Sequence, residues 1–136
     1  MFAIEKPLPM PNEDTAPYWE AAHRGKFQMQ RCVDCGWTRF PPALLCPRCL
    51  SENTAWTVLS GRGKVFSWVI VHQSQHPAFN PDAPYNVAIV ELEEGPRLHT
   101  NIVGCQASEI HIGMQVEVVF ERVNDEITLP RFRPRA

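Results

Sequence analysis

The sequence predicts a mainly β protein with a short N-terminal helix, a small ribbon pinned by cysteines and a five-stranded barrel. Three observations lead there. Thirteen prolines in 136 residues are about twice the ordinary usage of roughly 5%, and a residue without a backbone donor breaks up long helices. Four of the five cysteines form two Cys-x2-Cys pairs, Cys32/Cys35 and Cys46/Cys49. The second half of the chain alternates apolar and polar residues in short runs separated by Gly, Pro and Asn, the period of half-buried strands.

Residues 1–26 form an arm and the helix. Residues 1–13 carry three prolines and read as an extended segment whose order depends on what it touches. Asp14 or Thr15 caps a helix through Pro17 and Arg24, with Pro17 tolerated in the first turn and Gly25 as its stop. Tyr18, Trp19 and Ala22 share one face of it. A helix this short cannot stand alone, so that stripe docks on something.

Residues 27–53 form the ribbon. Phe27–Arg31 leads into the first cysteine pair, Trp37–Phe40 leads out toward Pro41-Pro42, and the second pair follows. Residues 54–136 form the barrel. Its segments are Ala55–Leu59; a turn or bulge at Gly61–Gly63; a long strand Lys64–His72; the hairpin strands Asn86–Leu92 and Arg97–Val103 about Glu93–Pro96; Met114–Glu121; and Glu126–Leu129 after the Asn124-Asp125 turn. A helical bend at Ala107–Ile110 separates the third and fourth strands. The stretch from Gln73 to Tyr85 is too proline-rich for a strand and reads as a contact-making loop. About five strands with a small piece between the third and fourth close most economically as a partly open barrel of the oligonucleotide/oligosaccharide-binding (OB) type, with a β-sandwich as the alternative.

The cysteines carry the strongest chemical signal. Each Cys-x2-Cys turn aims two thiolates at one point, and two such turns offer the four tetrahedral sulfur ligands of Zn2+ or a single iron, with one Zn2+ as the default. Four protein ligands leave no open position, so the ion holds structure rather than doing catalysis. Gly36 suits the turn after Cys35, whereas Leu50 stands at the same place after Cys49 and makes the second turn less regular. Disulfides or a redox pair fit less well, because the N-terminus has neither the basic segment nor the apolar block of a secretory signal, and the chain is expected in the reducing cytoplasm. Cys105 follows an apolar strand and reads as a buried free thiol rather than a nucleophile.

Composition limits the rest. With 44% hydrophobic and 21% charged residues and a net charge of -2, the chain is that of a folded domain without a uniformly basic or acidic surface. No apolar run approaches the roughly 20 residues of a membrane span.

Taken in order, Tyr18-Trp19-Glu20-Ala21, Gly25-Lys26-Phe27, Gln30-Arg31-Cys32-x2-Cys35-Gly36, Pro41-Pro42, Cys46-Pro47-x-Cys49, Gly61-x-Gly63-x-Val65, Pro84-Tyr85, Val90-Glu91-Leu92-x2-Glu94-Gly95 and Ile112-Gly113-Met114-x-Val116 resemble the DUF35 family over roughly residues 15–123. Leu50 in place of Gly and Tyr18 in place of Phe depart from its pattern. The resemblance implies a rubredoxin-like zinc ribbon joined to an OB fold. It further implies an accessory subunit of a thiolase-like or hydratase-like enzyme that works on acyl-CoA, in lipid or steroid side-chain cleavage (thiolytic or retro-aldol) or in condensation. The catalytic residues would then belong to the partner, and the assembly would be a homo- or hetero-oligomer.

The residues themselves agree in showing no catalytic set. His23, His72, His76, His99 and His111 are scattered, without a nucleophile–base–orienter arrangement. If CoA phosphates touch this chain, Arg24, Lys26, Arg62 and Lys64 are the candidate cations. Tyr18 and Trp19 are candidates for a partner contact. Two other readings stand beside the accessory subunit. One is a nucleic-acid module stacking bases on Trp56, Phe66 and Trp68, disfavoured by Glu91, Glu93 and Glu94 although Arg131, Arg133 and Arg135 are basic. The other is a stand-alone acyl-CoA-binding protein.

Overall fold

The computed structural model describes residues 5–135. It is mostly β: one helix, α1 (Ala16–His23), and eight strands, β1 (Gln28–Cys32), β2 (Thr38–Arg39), β3 (Thr54–Val58), β4 (Arg62–Val71), β5 (Tyr85–Leu92), β6 (Arg97–Thr100), β7 (Gln115–Arg122) and β8 (Thr128–Pro134). They form a three-stranded sheet β2-β1-β3 and a five-stranded sheet β6-β5-β4-β7-β8. A parallel bridge between Ile102 and Phe132 draws the outer edges of the larger sheet together. That contact curls it into an OB-type barrel.

Hydrogen bonding carries the ribbon sheet past residue 53. Strand β3 pairs with β1 from Gln28↔Val58 to Cys32↔Thr54, so this run, which opens the barrel segment on sequence, hydrogen-bonds into the sheet that carries the ribbon. A short alternating run shows that a strand exists without naming its partner. Gly61, at φ 77°, precedes β4, which already includes Arg62 and Gly63, and the bulge falls further along, between Val65 and Ser67.

The helix begins and ends locally. Thr15 occupies the cap position but makes no side-chain cap bond. Instead Asn12 Oδ1 accepts from the N–H groups of Asp14 and Thr15 at 2.9 and 3.0 Å, while Thr15 Oγ1 accepts from Asn12 N–H at 3.0 Å. At the other end Lys26 N–H reaches Ala21 O and Gly25 N–H reaches Ala22 O, at 2.8 and 2.9 Å. This paired closure places Gly25 at φ 76°, a conformation glycine adopts without Cβ strain.

Strand β8 runs on through Pro130 to Pro134. Phe132 N–H donates to Asn101 O, away from β7, while Arg135 N–H donates to Gln115 O beside β7. By strand alternation the nitrogens of Pro130 and Pro134 face the same way as Phe132's, so neither removes a β7–β8 ladder bond.

One core joins the two sheets. Tyr18, Phe27, Met29 and Leu59 pack with Val65, Val90, Leu98, Ile102, Val116 and Phe132 in a single buried cluster. The rings of Phe27 and Phe132 meet edge-on at 5.9 Å. The 73–84 loop contains a 3-10 turn at Asn80–Asp82 and touches the arm through a Lys6–Asp82 ion pair.

Candidate metal centre

Strand β1 ends on Cys32, where the chain turns back on itself. Cys32 N–H donates to Trp37 O at 2.8 Å, and Gly36 N–H donates to Cys32 O at 2.9 Å. The second turn repeats this pattern: Cys46 N–H donates to Ser51 O at 2.9 Å and Leu50 N–H to Cys46 O at 2.7 Å. The matching residues Gly36 and Leu50 have φ of 78° and 64°. The second turn is therefore as regular as the first, with the leucine adopting the left-handed conformation.

Asp34 ties the two turns together. Its carboxylate accepts from the Ser51 hydroxyl and from Asn53 Nδ2 at 3.0 Å, and Val33 N–H donates to Asn53 O at 2.9 Å. These donors hold the Asp34 carboxyl below its ordinary pKa, with Ser51 contributing most. Nothing in the local spacing distinguishes Asp34, Ser51 or Asn53 as a group, because they meet only when the turns are folded together.

The result is a compact group of four sulfurs, all within 4.8 Å of one another. Cys32 Sγ lies 3.5 Å from Cys49 Sγ and Cys35 Sγ lies 3.6 Å from Cys46 Sγ. Tetrahedral Zn–S bonds of about 2.3 Å set sulfurs about 3.8 Å apart, and disulfide sulfurs are about 2.05 Å apart. The geometry fits an ion, and all four cysteines are free. Cys32 and Cys46 are buried; Cys35 and Cys49 reach the surface.

The thiols divide in their acidity. Donation by Cys35 N–H brings Cys32 down to about 6. Burial pushes Cys46 up, but the N–H groups of Cys49 and Arg48 outweigh it and the net shift is down. At Cys35 the Trp37 N–H lowers the value, yet burial and the sulfurs of Cys32 and Cys46 turn the result upward. Ser51 N–H likewise pulls Cys49 down, and Cys32, burial and the other sulfurs together drive it to about 12. Four thiolates this close repel one another, and a divalent cation resolves that repulsion.

The other candidate residues are dispersed. Arg24 borders a groove of about 260 Å3 with Trp19, His23 and Glu126, a groove that neither Arg62 nor Lys64 lines. Lys26 and Arg62 are exposed, and Lys64 stands 3.7 Å from Glu91. Tyr18 is only 5% exposed and sits among Trp19, Phe27 and Phe40 at 4.9, 6.2 and 5.3 Å. Its ring belongs to this chain's own core, and burial raises its pKa; of the proposed pair only Trp19 borders open space. Burial, then the charge of Glu109, pushes the Cys105 thiol up, away from the thiolate a nucleophile needs.

A larger cleft went unnoticed in the sequence. About 630 Å3 opens between the ribbon and the β5–β6 turn, bordered by Trp37, Arg48, Glu94 and Arg97, with the Arg48 guanidinium 4.9 Å above the Trp37 ring. Its walls come from segments some fifty residues apart, so no local motif marks it. Among the described residues no helix is long and apolar enough to cross a membrane.

A four-cysteine ribbon packed on a five-stranded barrel defines the class, a zinc-ribbon and OB-fold protein. Comparison with known proteins makes this specific. Residues 19–55 match the family model "ChsH2, rubredoxin-like zinc ribbon domain" and residues 56–121 match "ChsH2, C-terminal OB-fold domain". A DUF35 domain-containing scaffold protein of Methanocaldococcus jannaschii is 42% identical over 97 residues, 71% of this chain and 68% of its own length. The chain belongs to the DUF35 family. A probable enoyl-CoA hydratase alpha subunit of Thermomonospora curvata is 43% identical over 129 residues, 95% of this chain but 40% of that protein. The chain thus spans well under half of that relative. A solved structure described as "Ltp2-ChsH2(DUF35) aldolase" superposes with a TM-score of 0.83 at 42% identity, covering 93% of this chain and 98% of the matched one.

Proposed function

We propose that this chain is a non-catalytic accessory subunit that docks on a thiolase-like or hydratase-like enzyme and supports its acyl-CoA chemistry. The observation that carries this is the near-complete match, 93% of this chain and 98% of the other, to a DUF35 chain solved as part of an aldolase. Relatives named as a scaffold protein and as a hydratase alpha subunit support the same role. Thiolytic, retro-aldol and condensing partners, in lipid or steroid side-chain metabolism, all fall within it. The reading includes one structural Zn2+ on Cys32, Cys35, Cys46 and Cys49 and a reducing, cytoplasmic setting for the four free thiols.

Acyl-CoA is the proposed ligand of the complex. The scatter of Arg24, Lys26, Arg62 and Lys64 favours a site completed by the partner over a pocket in this chain alone, and Trp19 is the proposed aromatic contact. The nucleic-acid alternative loses support at the barrel's basic end. Arg131 and Arg133 are ion-paired across β7–β8 with Glu121 and Glu117, and Arg135 bonds Gln115, which leaves no open basic stripe there.

Co-expression with a thiolase-like or hydratase-like protein tests the proposal. A stable complex that turns over acyl-CoA, while this chain by itself does not, is the expected result. Failure to co-purify together with acyl-CoA turnover by the isolated chain would overturn it.

A further inference from the structure

Arg39 is the most deeply buried charged side chain of the ribbon, 4% exposed. Its Nη2 donates to Ala43 O at 3.1 Å and to Thr54 Oγ1 at 2.7 Å, while its Nε and Nη1 have no hydrogen-bond partner. None of the ion pairs among the described residues includes it. A guanidinium stays protonated throughout the range in which proteins fold, so this is a buried cation without a carboxylate. Such a charge is strongly destabilising unless a negative group lies near.

Strand register brings one candidate group onto the same sheet face as Arg39. Gln30 pairs with Arg39 on β2 and with Trp56 on β3, and Cys32 pairs with Thr54. Directly paired residues, and residues two apart on one strand, point to the same face. Arg39, Gln30, Thr54, Trp56 and Cys32 therefore share one face of the ribbon sheet. Cys32 is the only one of these side chains able to carry negative charge. The loop to Cys46 is held against this face at both ends of one peptide unit's neighbours: Ala43 N–H donates to Gln30 Oε1 at 2.8 Å and Ala43 O accepts from Arg39.

We infer that Arg39 is the counter-charge and positioning residue of the metal centre. Four thiolates around one divalent ion leave a net negative centre, and Arg39 offsets it from the same sheet face. Its bond to Ala43 sets the approach of the second cysteine pair. The inference rests on the zinc reading above and adds the residue that makes a negative tetrathiolate tolerable inside the ribbon.

The test compares zinc affinity of the reduced full chain, by competition with a chromophoric chelator, for wild type, Arg39→Met and Arg39→Lys. Metal binding and ribbon folding are one equilibrium, so a variant that is unfolded without metal is still scored. Arg39→Met is expected to bind zinc roughly 10- to 100-fold more weakly, the usual effect of losing an outer-shell partner, or not at all. Arg39→Lys, which keeps the charge, is expected to recover most of the loss. In the cobalt-loaded proteins the thiolate-to-metal band should move to longer wavelength in Arg39→Met and return in Arg39→Lys. Wild-type affinity in Arg39→Met, or an equal loss in both variants, would overturn the counter-charge role. A wild-type chain that takes up no metal would instead overturn the zinc reading itself.

Discussion

At the scale of single residues, the contrast between Gly36 and Leu50 has a measurable consequence. The two residues close equivalent turns with nearly the same φ, but a left-handed conformation costs an ordinary L-residue roughly 1–2 kcal/mol. Leu50 is 71% exposed, so little burial is lost on shortening it. Leu50→Gly is expected to stabilise the zinc-loaded protein by about 0.5–1 kcal/mol after the extra chain entropy of glycine, read as a higher Tm. Gly61 is the opposite case. A Cβ there would lie 2.4 Å from Val118 Cγ1 at a positive φ, so Gly61→Ala is expected to destabilise by roughly 2 kcal/mol or more, measured by denaturant unfolding. Of the four ligand cysteines, which shift in opposite directions, Cys32 gives the clearest sign. Cys32 is depressed from 9.0 to about 6 in the metal-free chain; its contribution is complete above 9 and lost as pH falls through about 6. A bound ion extends retention to lower pH, and acid should release it as protons reclaim the thiolates, a release that a zinc dye can follow. Ligand spacing was legible because it is local. The Asp34–Ser51–Asn53 and Gln30–Ala43–Arg39 ties were not, because each joins residues brought together by the fold.

At the scale of elements, α1 shows how a weak helix is made firm. Eight residues cannot hold themselves in water, and Tyr18 anchors them by sinking among Phe27 and Phe40. Tyr18→Ala is expected to cost about 3–5 kcal/mol, as for other buried aromatics, and to free the helix, seen as faster amide exchange over 16–23. The helix, its start after Thr15 and its glycine stop were legible because caps act through neighbouring residues; what was missed is that Asn12, outside the expected cap, supplies the bonds. The extent of β8 was misread and the pairing of β3 was not foreseen, for one reason. A period of two reports exposure, not pairing, so it could not show that β3 hydrogen-bonds to β1. Nor could it show that the two prolines of β8 sit at positions where no donor is required.

At the scale of the whole molecule, the ribbon and the barrel share a single interior. Tyr18, Phe27 and Met29 cannot leave it without opening the barrel's core. The intact protein is therefore expected to unfold in one transition followed alike by tryptophan fluorescence and far-ultraviolet dichroism. Removing the metal with a chelator should lower that whole transition rather than melt the ribbon alone, and Cys32→Ala or Cys46→Ala should yield insoluble or unfolded chain. Two separate transitions would show that the sheets stand independently. A shared interior also governs how this protein can be cut and grafted. A gene fragment opening at residue 56 would expose Phe132 where Phe27 now sits, and the product should be sticky and prone to precipitate. Anyone wishing to transplant the barrel onto another scaffold must carry the cysteine-bearing segment with it, or redesign the surface it leaves bare.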